Sequence, residues 1–246
     1  MSMLIVNSVS KSYGAISALS RVSFSLSHGD VLGLVGLNGA GKSTLIKGLA
    51  GVFPFSSGEV RCGDSSLAGD PLGYRMVVGY QPERPCLPEA LTVLEYVSFI
   101  RSICCHSSSG DRTDKLLHDL DLFPLRYSLC TELSKGEQQR VGFLAAVIHQ
   151  PKLLLLDEPM SGLDPKQLLA FRRFVSAESD QRITILSTHL LSEIRAVCNK
   201  LLVIDRGQVK MFEEDLSHKD LAHFERYFVQ AVPEGDEEYS GVASVG

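Results

Sequence analysis

The chain has 246 residues, 44% hydrophobic and 22% charged, a composition ordinary for a globular protein with a substantial core. Its net charge of −5 argues against nucleic-acid binding, which usually leaves a basic surface. The six cysteines form no C-x-x-C pair, which favours reduced thiols over zinc or disulfides. We recognise neither a signal peptide nor a membrane-spanning run of about 18 apolar residues, and therefore expect an intracellular protein.

Strand and helix patterns alternate along the chain. Apolar and β-branched runs predict strands at 3–9, 21–26, 31–36, 76–80, 153–157, 183–187 and 201–204. Helical periodicity predicts helices at 42–50, 92–103, 113–120, 137–149, 165–177 and 190–197. Because several strands are followed by helices, we expect an α/β fold with a mostly parallel sheet covered on both faces.

The middle of the chain differs from its two ends. Residues 84–150 contain predicted helices and no convincing strand, which indicates a helical insertion into a core formed by about 1–83 and 151–212. Within the insertion, HSSSGD (106–111) is a loop by composition. We expect one domain over 1–232. The tail 233–246 carries four acids and no base, and is expected to be disordered.

A glycine-rich motif follows the strand at 31–36. In VLGLVGLNGAGKSTLIKGLAG, an apolar strand runs into G-x-x-x-x-G-K-S and then into an amphipathic helix, the context that a P-loop requires. Its amides can point at a β-phosphate, Lys42 can lie between the β- and γ-phosphates, and the Ser43 hydroxyl can ligate Mg²⁺. The sequence therefore predicts a nucleoside triphosphate site. Its loop residues are Gly36, Leu37, Asn38, Gly39, Ala40, Gly41, Lys42, Ser43 and Thr44.

A second motif, which is acidic, is compatible with a P-loop. KLLLLDEP is a buried strand that ends in Asp157 and Glu158. A carboxylate at the carboxyl end of a strand beside a P-loop can hold Mg²⁺, so Asp157 is a candidate metal ligand. Glu158 could polarise the attacking water as a general base. Without the P-loop, this acidic pair would be only a strand end.

The stretch LSKGEQQR (133–140) has two interpretations. Ser134 and Glu137 can form a capping box at a helix start, which is what most S-x-x-E matches are. Alternatively, the exposed amides of this helix start are aimed at an anion.

Taken together, the motifs resemble a known family. The P-loop, LSKGEQQR, LLLLDEP, SGLD and STH, in this order and spacing, are similar to the nucleotide-binding subunit of an ABC transporter, over about residues 3–212. The resemblance implies a P-loop NTPase fold: a RecA-like core, a small antiparallel β-subdomain and an inserted helical subdomain. It also implies a head-to-tail dimer in which each ATP lies between the P-loop of one subunit and the signature of the other.

The resemblance carries over to further residues. LSKGEQQR matches the family's signature, so Ser134 and Gly136 would contact the γ-phosphate bound by the partner subunit. Tyr13 matches the aromatic that stacks on adenine, and His189 the catalytic switch histidine that contacts the γ-phosphate. Asp164 matches a loop that couples the two sites, although it could equally be the N-cap of the following helix. Without the resemblance, Tyr13 and His189 would be read as structural.

Two parts of the resemblance are less regular. The signature departs from the commoner LSGGQ, because Lys135 replaces a glycine and Glu137 a glutamine. A lysine-bearing signature resembles the exporter-like, ABC-2 type branch of the family, and favours export. In VVGYQPERP, Gln81 is an obvious candidate for the glutamine that senses Mg²⁺ and water. The spacing to LTVLEY, however, better matches Glu83, and both residues remain candidates for this role.

The implied partners follow from the same resemblance. We expect ATP and Mg²⁺ as cofactors, a separate integral membrane permease, a homodimer or a heterodimer with a similar subunit, no nucleic acid, and a peripheral location at the cytoplasmic face of the membrane. The alternative is a soluble ABC-type ATPase acting on ribosomes or DNA. The single P-loop, the short insertion and the acidic charge disfavour it. A plain P-loop kinase or GTPase would leave LSKGEQQR unexplained.

Overall fold

The computed structural model describes residues 3–104, 112–188 and 191–216. The strands are β1 (Met3–Tyr13), β2 (Ile16–Ser27), β3 (Val31–Val35), β4 (Ser57–Cys62), β5 (Ser65–Ser66), β6 (Val78–Gln81), β7 (Leu153–Leu156), β8 (Ile183–Ser187), β9 (Lys200–Asp205) and β10 (Gln208–Glu213). The α-helices are α1 (Lys42–Leu49), α2 (Pro71–Met76), α3 (Val93–Cys104), α4 (Thr113–Asp119), α5 (Lys135–Val147), α6 (Pro165–Ala177) and α7 (Leu191–Val197).

A six-stranded sheet forms the centre, in the order β10-β9-β3-β8-β7-β6. All neighbouring strands are parallel except the β9–β10 pair, which is antiparallel. β3, β7 and β8 are buried at every position, because side chains of both faces are covered. The carboxyl ends of the parallel strands thus meet at one edge of the sheet, where ligands of open α/β sheets bind.

The two faces of this sheet belong to two hydrophobic clusters. Alternate residues of β3 show the division: Val31 and Val35 face the cluster that includes α5 and α6, whereas Leu32 and Leu34 face the cluster that includes α1. The second cluster also takes in the four-stranded antiparallel sheet, ordered β2-β1-β4-β5. Burial on both faces explains why the central strands appear in the sequence as uninterrupted apolar runs.

The predicted fold class is confirmed: a mostly parallel core sheet, an antiparallel sheet and helices α3–α5 between β6 and β7. Every predicted strand and helix is present, with shifted ends; β2, for example, starts at Ile16 rather than Arg21. Among the strands and α-helices of the described residues, the prediction missed β4, β5, α2 and β10. The expected loop at 106–111 and the acidic tail at 233–246 lie outside the described residues.

Candidate nucleotide-binding site

The glycine-rich loop joins β3 to α1 in a tightly enclosed place. A Cβ atom at Gly36 would lie 2.2 Å from the carbonyl oxygen of Ile204 on β9, so only glycine fits there. Gly41 has φ 109° and is the N-cap of α1. Since Gly41 has no side chain to cap the helix, the first amides of α1 remain available to an anion.

Lys42 extends back over this loop. Its side chain is 7% exposed, and its ammonium donates to the carbonyl oxygens of Gly36 at 2.7 Å and Leu37 at 3.1 Å. Burial lowers the pKa of Lys42, while the nearby carboxylates of Glu158 and Asp157 raise it. The loop thus presents a buried ammonium group that can donate to phosphate oxygens.

Asp157 connects three segments at the edge of the sheet. Its Oδ1 accepts hydrogen bonds from the hydroxyls of Ser43 on α1, at 3.1 Å, and Ser187 on β8, at 2.8 Å. Its Oδ2 is buried and has no hydrogen-bond partner. A buried carboxylate oxygen beside a serine hydroxyl fits Mg²⁺, which commonly takes one or two carboxylates and completes its shell with water and substrate phosphates.

Glu158 follows Asp157 in an uncommon backbone conformation. Its φ is 49°, in the left-handed region that non-glycine residues seldom adopt, and its amide donates to the Ser187 hydroxyl at 2.9 Å. Ser187 therefore holds both acids, accepting from one and donating to the other. A backbone conformation of this kind at a non-glycine residue often accompanies function.

The signature stretch begins helix α5, and the capping box predicted there is confirmed. The Ser134 hydroxyl accepts from the Glu137 amide at 3.4 Å, and the Glu137 carboxylate accepts from the Ser134 amide at 2.7 Å. These hydrogen bonds with Ser134 lower the pKa of Glu137. Ser134 and Lys135 are exposed.

The start of α6 packs against the start of α5. Asp164 is the N-cap of α6, as the second interpretation of SGLD predicted: its carboxylate accepts from the Gln167 amide at 2.8 Å. A Cβ atom at Gly136 would lie 3.1 Å from the Gln167 Oε1 atom and 3.2 Å from the carbonyl oxygen of Gly162. Gly136 thus permits close packing between the two predicted ligand-contacting segments.

The structure places Gln81 and Glu83 in different surroundings. Gln81 is 1% exposed at the end of β6, and its side-chain amide donates to the backbone oxygen of Gln139, at 3.0 Å, and to its Oε1 atom, at 2.6 Å. Glu83 is exposed two residues beyond. The Gln81 side chain is therefore bonded to helix α5, while the Glu83 side chain is accessible to solvent.

Tyr13 lies at the end of β1 and is 49% exposed. Its ring meets Phe53 edge-on, with 6.0 Å between centroids, and the Lys11 ammonium lies 5.2 Å from the centroid of Tyr13. An exposed aromatic face suits a stacking role. His189 lies outside the described residues. The strand before it ends beside the P-loop strand, since the Thr188 amide donates to the Leu34 carbonyl at 3.2 Å.

Sequence reasoning missed two polar residues of this region, Ser187 and Gln139. Neither belongs to a local pattern that predicts a contact with Asp157 or Gln81. A partial signal existed for Ser187, because it ends a strand that is predicted to lie parallel to the others, where polar residues collect.

Within the described ranges, no helix combines the length and the apolar character needed to cross a membrane.

We call Asp157, Ser43, Ser187 and the turn at Glu158 the Asp157 cluster. The doubly covered sheet, the P-loop and the Asp157 cluster together define a P-loop nucleoside triphosphatase. A family model described as "ABC transporter" matches residues 19–161. The chain belongs to the ATP-binding, ATP-hydrolysing subunits of this family.

Two relatives and one solved structure illustrate the similarity. The ABC-type transporter ATP-binding protein EcsA of Bacillus subtilis is 32% identical over 215 residues, 85% of this chain and 86% of EcsA. The lipopolysaccharide export system ATP-binding protein LptB of Escherichia coli K12 is 30% identical, over 85% of this chain and 89% of LptB. A structure titled as the ATP-binding subunit of an ABC transporter has a TM-score of 0.85 and 29% identity, covering 92% of this chain and 99% of its own.

Proposed function

We propose that the chain binds ATP with Mg²⁺, dimerises head to tail around two ATP molecules, and powers transport through a separate membrane permease. The observation that carries the proposal is the Asp157 cluster, in which the P-loop hydroxyl of Ser43, the strand-end hydroxyl of Ser187 and the turn at Glu158 converge. In this proposal Asp157 would be a metal ligand and Glu158 a base beside the phosphates.

In this proposal, Lys42 and the P-loop amides hold the β- and γ-phosphates. The Lys42 ammonium exchanges its hydrogen bonds with the Gly36 and Leu37 carbonyls for bonds to phosphate oxygens. Ser43 and Asp157 would hold Mg²⁺, which supplies charge neutralisation at the transferring phosphoryl group. Tyr13 would stack on the adenine, with its exposed ring as the support.

Glu158 is the proposed general base. The left-handed turn and the amide bond to Ser187 hold its backbone at the end of β7, and a carboxylate positioned there can take a proton from a water as that water attacks. His189, which follows β8 in the sequence, is proposed to contact the γ-phosphate. Glu83, rather than Gln81, is the proposed sensor of metal and water, since the Gln81 side chain is bonded to α5.

The proposed dimer completes each site with residues from the other subunit. Ser134 and Gly136 would meet the γ-phosphate held by the partner, with Asp164 in the adjoining loop. Support comes from the exposed start of α5, where Ser134 and Lys135 are accessible, and from its packing on the segment 162–167.

Export is the proposed direction, at the cytoplasmic face of the membrane. The support is the lysine-bearing signature and the similarity to LptB, whose name assigns it to an export system.

Co-expression with a candidate permease tests this function. The chain should enter the membrane fraction only with the permease, and substrate transport in vesicles should stop when Lys42→Ala replaces the wild-type chain. A chain that associates with ribosomes and does not bind any candidate permease would contradict the proposal.

A further inference from the structure

A single buried hydroxyl joins the two acids that follow β7. Ser187, the last residue of β8, is 0% exposed. Its hydroxyl donates to the Oδ1 atom of Asp157 at 2.8 Å and accepts from the Glu158 amide at 2.9 Å. Both contacts hold their geometry strongly, because breaking a buried hydrogen bond leaves a polar group unpaired and away from water.

The first contact determines which oxygen of Asp157 stays available. The Ser43 hydroxyl also donates to Oδ1, at 3.1 Å, so both serines use the same carboxylate oxygen. The buried Oδ2 atom has no hydrogen-bond partner among the described residues. Rotation of the carboxylate would exchange the two oxygens, and the two bonds to Oδ1 oppose that rotation. The Ser187 hydroxyl thus helps to leave Oδ2 available for Mg²⁺ or for a water bound to Mg²⁺.

The second contact concerns the backbone of Glu158. Its φ of 49° lies in the left-handed region, which a non-glycine residue keeps only where the surrounding contacts hold it. Two hydrogen bonds support this turn: the Glu158 amide donates to the Ser187 hydroxyl, and the Glu158 carbonyl accepts from the Ser161 amide at 3.2 Å. Without the Ser187 hydroxyl, the amide side of the turn loses its partner.

We propose that Ser187 is a positioning residue that sets the places of the metal ligand Asp157 and the base Glu158 relative to each other. Because its hydroxyl is occupied by these two residues, Ser187 acts through them and not by contact with the nucleotide. The proposal rests on the proposed function, which gives Asp157 and Glu158 their roles. It adds that metal binding and proton abstraction both depend on one hydroxyl at the end of β8.

Two substitutions in β8 separate this role from a general effect on stability. Ser187→Ala removes the hydroxyl and both of its contacts. Thr184→Val is the matched control, because it removes the hydroxyl of another buried residue of the same strand at nearly constant size. Thr184 pairs with Leu154, near the start of β7 and away from Asp157. Circular dichroism checks that both variants are folded.

Nucleotide binding tests the metal side of the proposal without any catalysis. The dissociation constant of a fluorescent, slowly hydrolysed ATP analogue is measured with Mg²⁺ and with EDTA, and the ratio of the two values gives the effect of Mg²⁺. Ser187→Ala should lose most of this effect, because residues that orient a metal ligand typically change metal affinity about tenfold or more. The value in EDTA should stay near that of the wild type, because Lys42 and the P-loop amides are unchanged. Thr184→Val should match the wild type in both conditions.

Steady-state kinetics at saturating Mg²⁺ test the Glu158 side of the proposal. Ser187→Ala should lower kcat about tenfold, because the base is less well placed in the transition state, with less than about a twofold change in KM for ATP. Thr184→Val should leave both constants near their wild-type values.

The outcomes distinguish the role of Ser187 from the function on which it rests. If Mg²⁺ leaves the wild-type affinity for the analogue unchanged, the proposed metal site is wrong, and so is the role of Ser187. A full Mg²⁺ effect or a wild-type kcat in folded Ser187→Ala would overturn the role of Ser187 alone, and so would equal losses in Thr184→Val. If Ser187→Ala does not fold, Ser187→Cys, whose thiol is only a weak donor, is measured in the same way and decides.

Discussion

Lys42 is a charge kept out of water. Its ammonium is bonded to two loop carbonyls, and burial lowers its pKa against the opposing effect of Glu158 and Asp157. Such a group exchanges weak neutral acceptors for strong anionic ones when phosphates arrive.

Lys42→Ala should therefore lower the rate of ATP hydrolysis about a hundredfold or more, and weaken nucleotide binding. Phosphate release and a fluorescent-nucleotide titration measure the two effects, and circular dichroism checks that the variant is folded. Wild-type turnover in the folded variant would exclude Lys42 from the site.

Glu158 gives the second test at the residue scale. Glu158→Gln keeps the size of the side chain and removes the base, so it should bind ATP normally and hydrolyse it about a hundredfold or more slowly. The expected product is a stable ATP-bound dimer, seen by size-exclusion chromatography. A variant that stays monomeric with Mg²⁺ and ATP would argue against Glu158 as the base.

At the element scale, the capping box makes the start of α5 sensitive to acid. The pKa of Glu137 lies below its ordinary value of 4.5 in the folded chain, because Ser134 bonds the carboxylate. The ionised group therefore stabilises the fold fully above pH 4.5, and this contribution is lost as the pH falls through the lowered pKa.

Glu137→Gln should lower the free energy of unfolding at pH 7 by about 0.5 kcal/mol or less, since the site is mostly exposed and solvent screens the charge. The difference between the free energies of unfolding of the variant and of the wild type should become smaller as the pH falls below 4.5. Urea unfolding at a series of pH values measures it, with Glu89→Gln in an exposed turn as the control. A difference independent of pH would show that ionisation contributes nothing.

The elements found from the sequence are those with strong local patterns. β3, β7 and β8 are apolar throughout, and α6 has a clear period with an N-cap. β4 and β10 were missed because they alternate weakly; in β4 only Val60 and Cys62 are buried. The P-loop residues were found because their chemistry is contiguous in sequence. The Ser187 and Gln139 contacts join residues 30 and 58 positions from their partners and arise only when the sheet forms.

At the scale of the whole molecule, the proposed composite site allows a complementation experiment. Lys42→Ala disables the P-loop, and Ser134→Arg puts a bulky side chain where the partner's phosphate must approach. In a dimer of either variant alone, each site has one defective half. In a mixed dimer both defects fall in the same site, and the other site is intact.

Mixing the two variants should therefore restore nucleotide-dependent dimerisation that neither shows alone. Size-exclusion chromatography with Mg²⁺ and a slowly hydrolysed analogue measures it, with wild type as the positive control. If Ser134→Arg alone dimerised like wild type, or if the mixture stayed monomeric, Ser134 would not act across the interface.

The order of strands in the central sheet has a consequence for synthesis on the ribosome. The P-loop strand β3 ends at Val35, yet its two neighbours are β8, from Ile183, and β9, from Lys200. At about 5–20 residues per second, the motif leaves the ribosome roughly 7–30 s before either neighbour exists. During that interval the nascent chain carries the complete P-loop motif without the two strands that flank β3, so nucleotide binding has to wait until β8 and β9 have been synthesised.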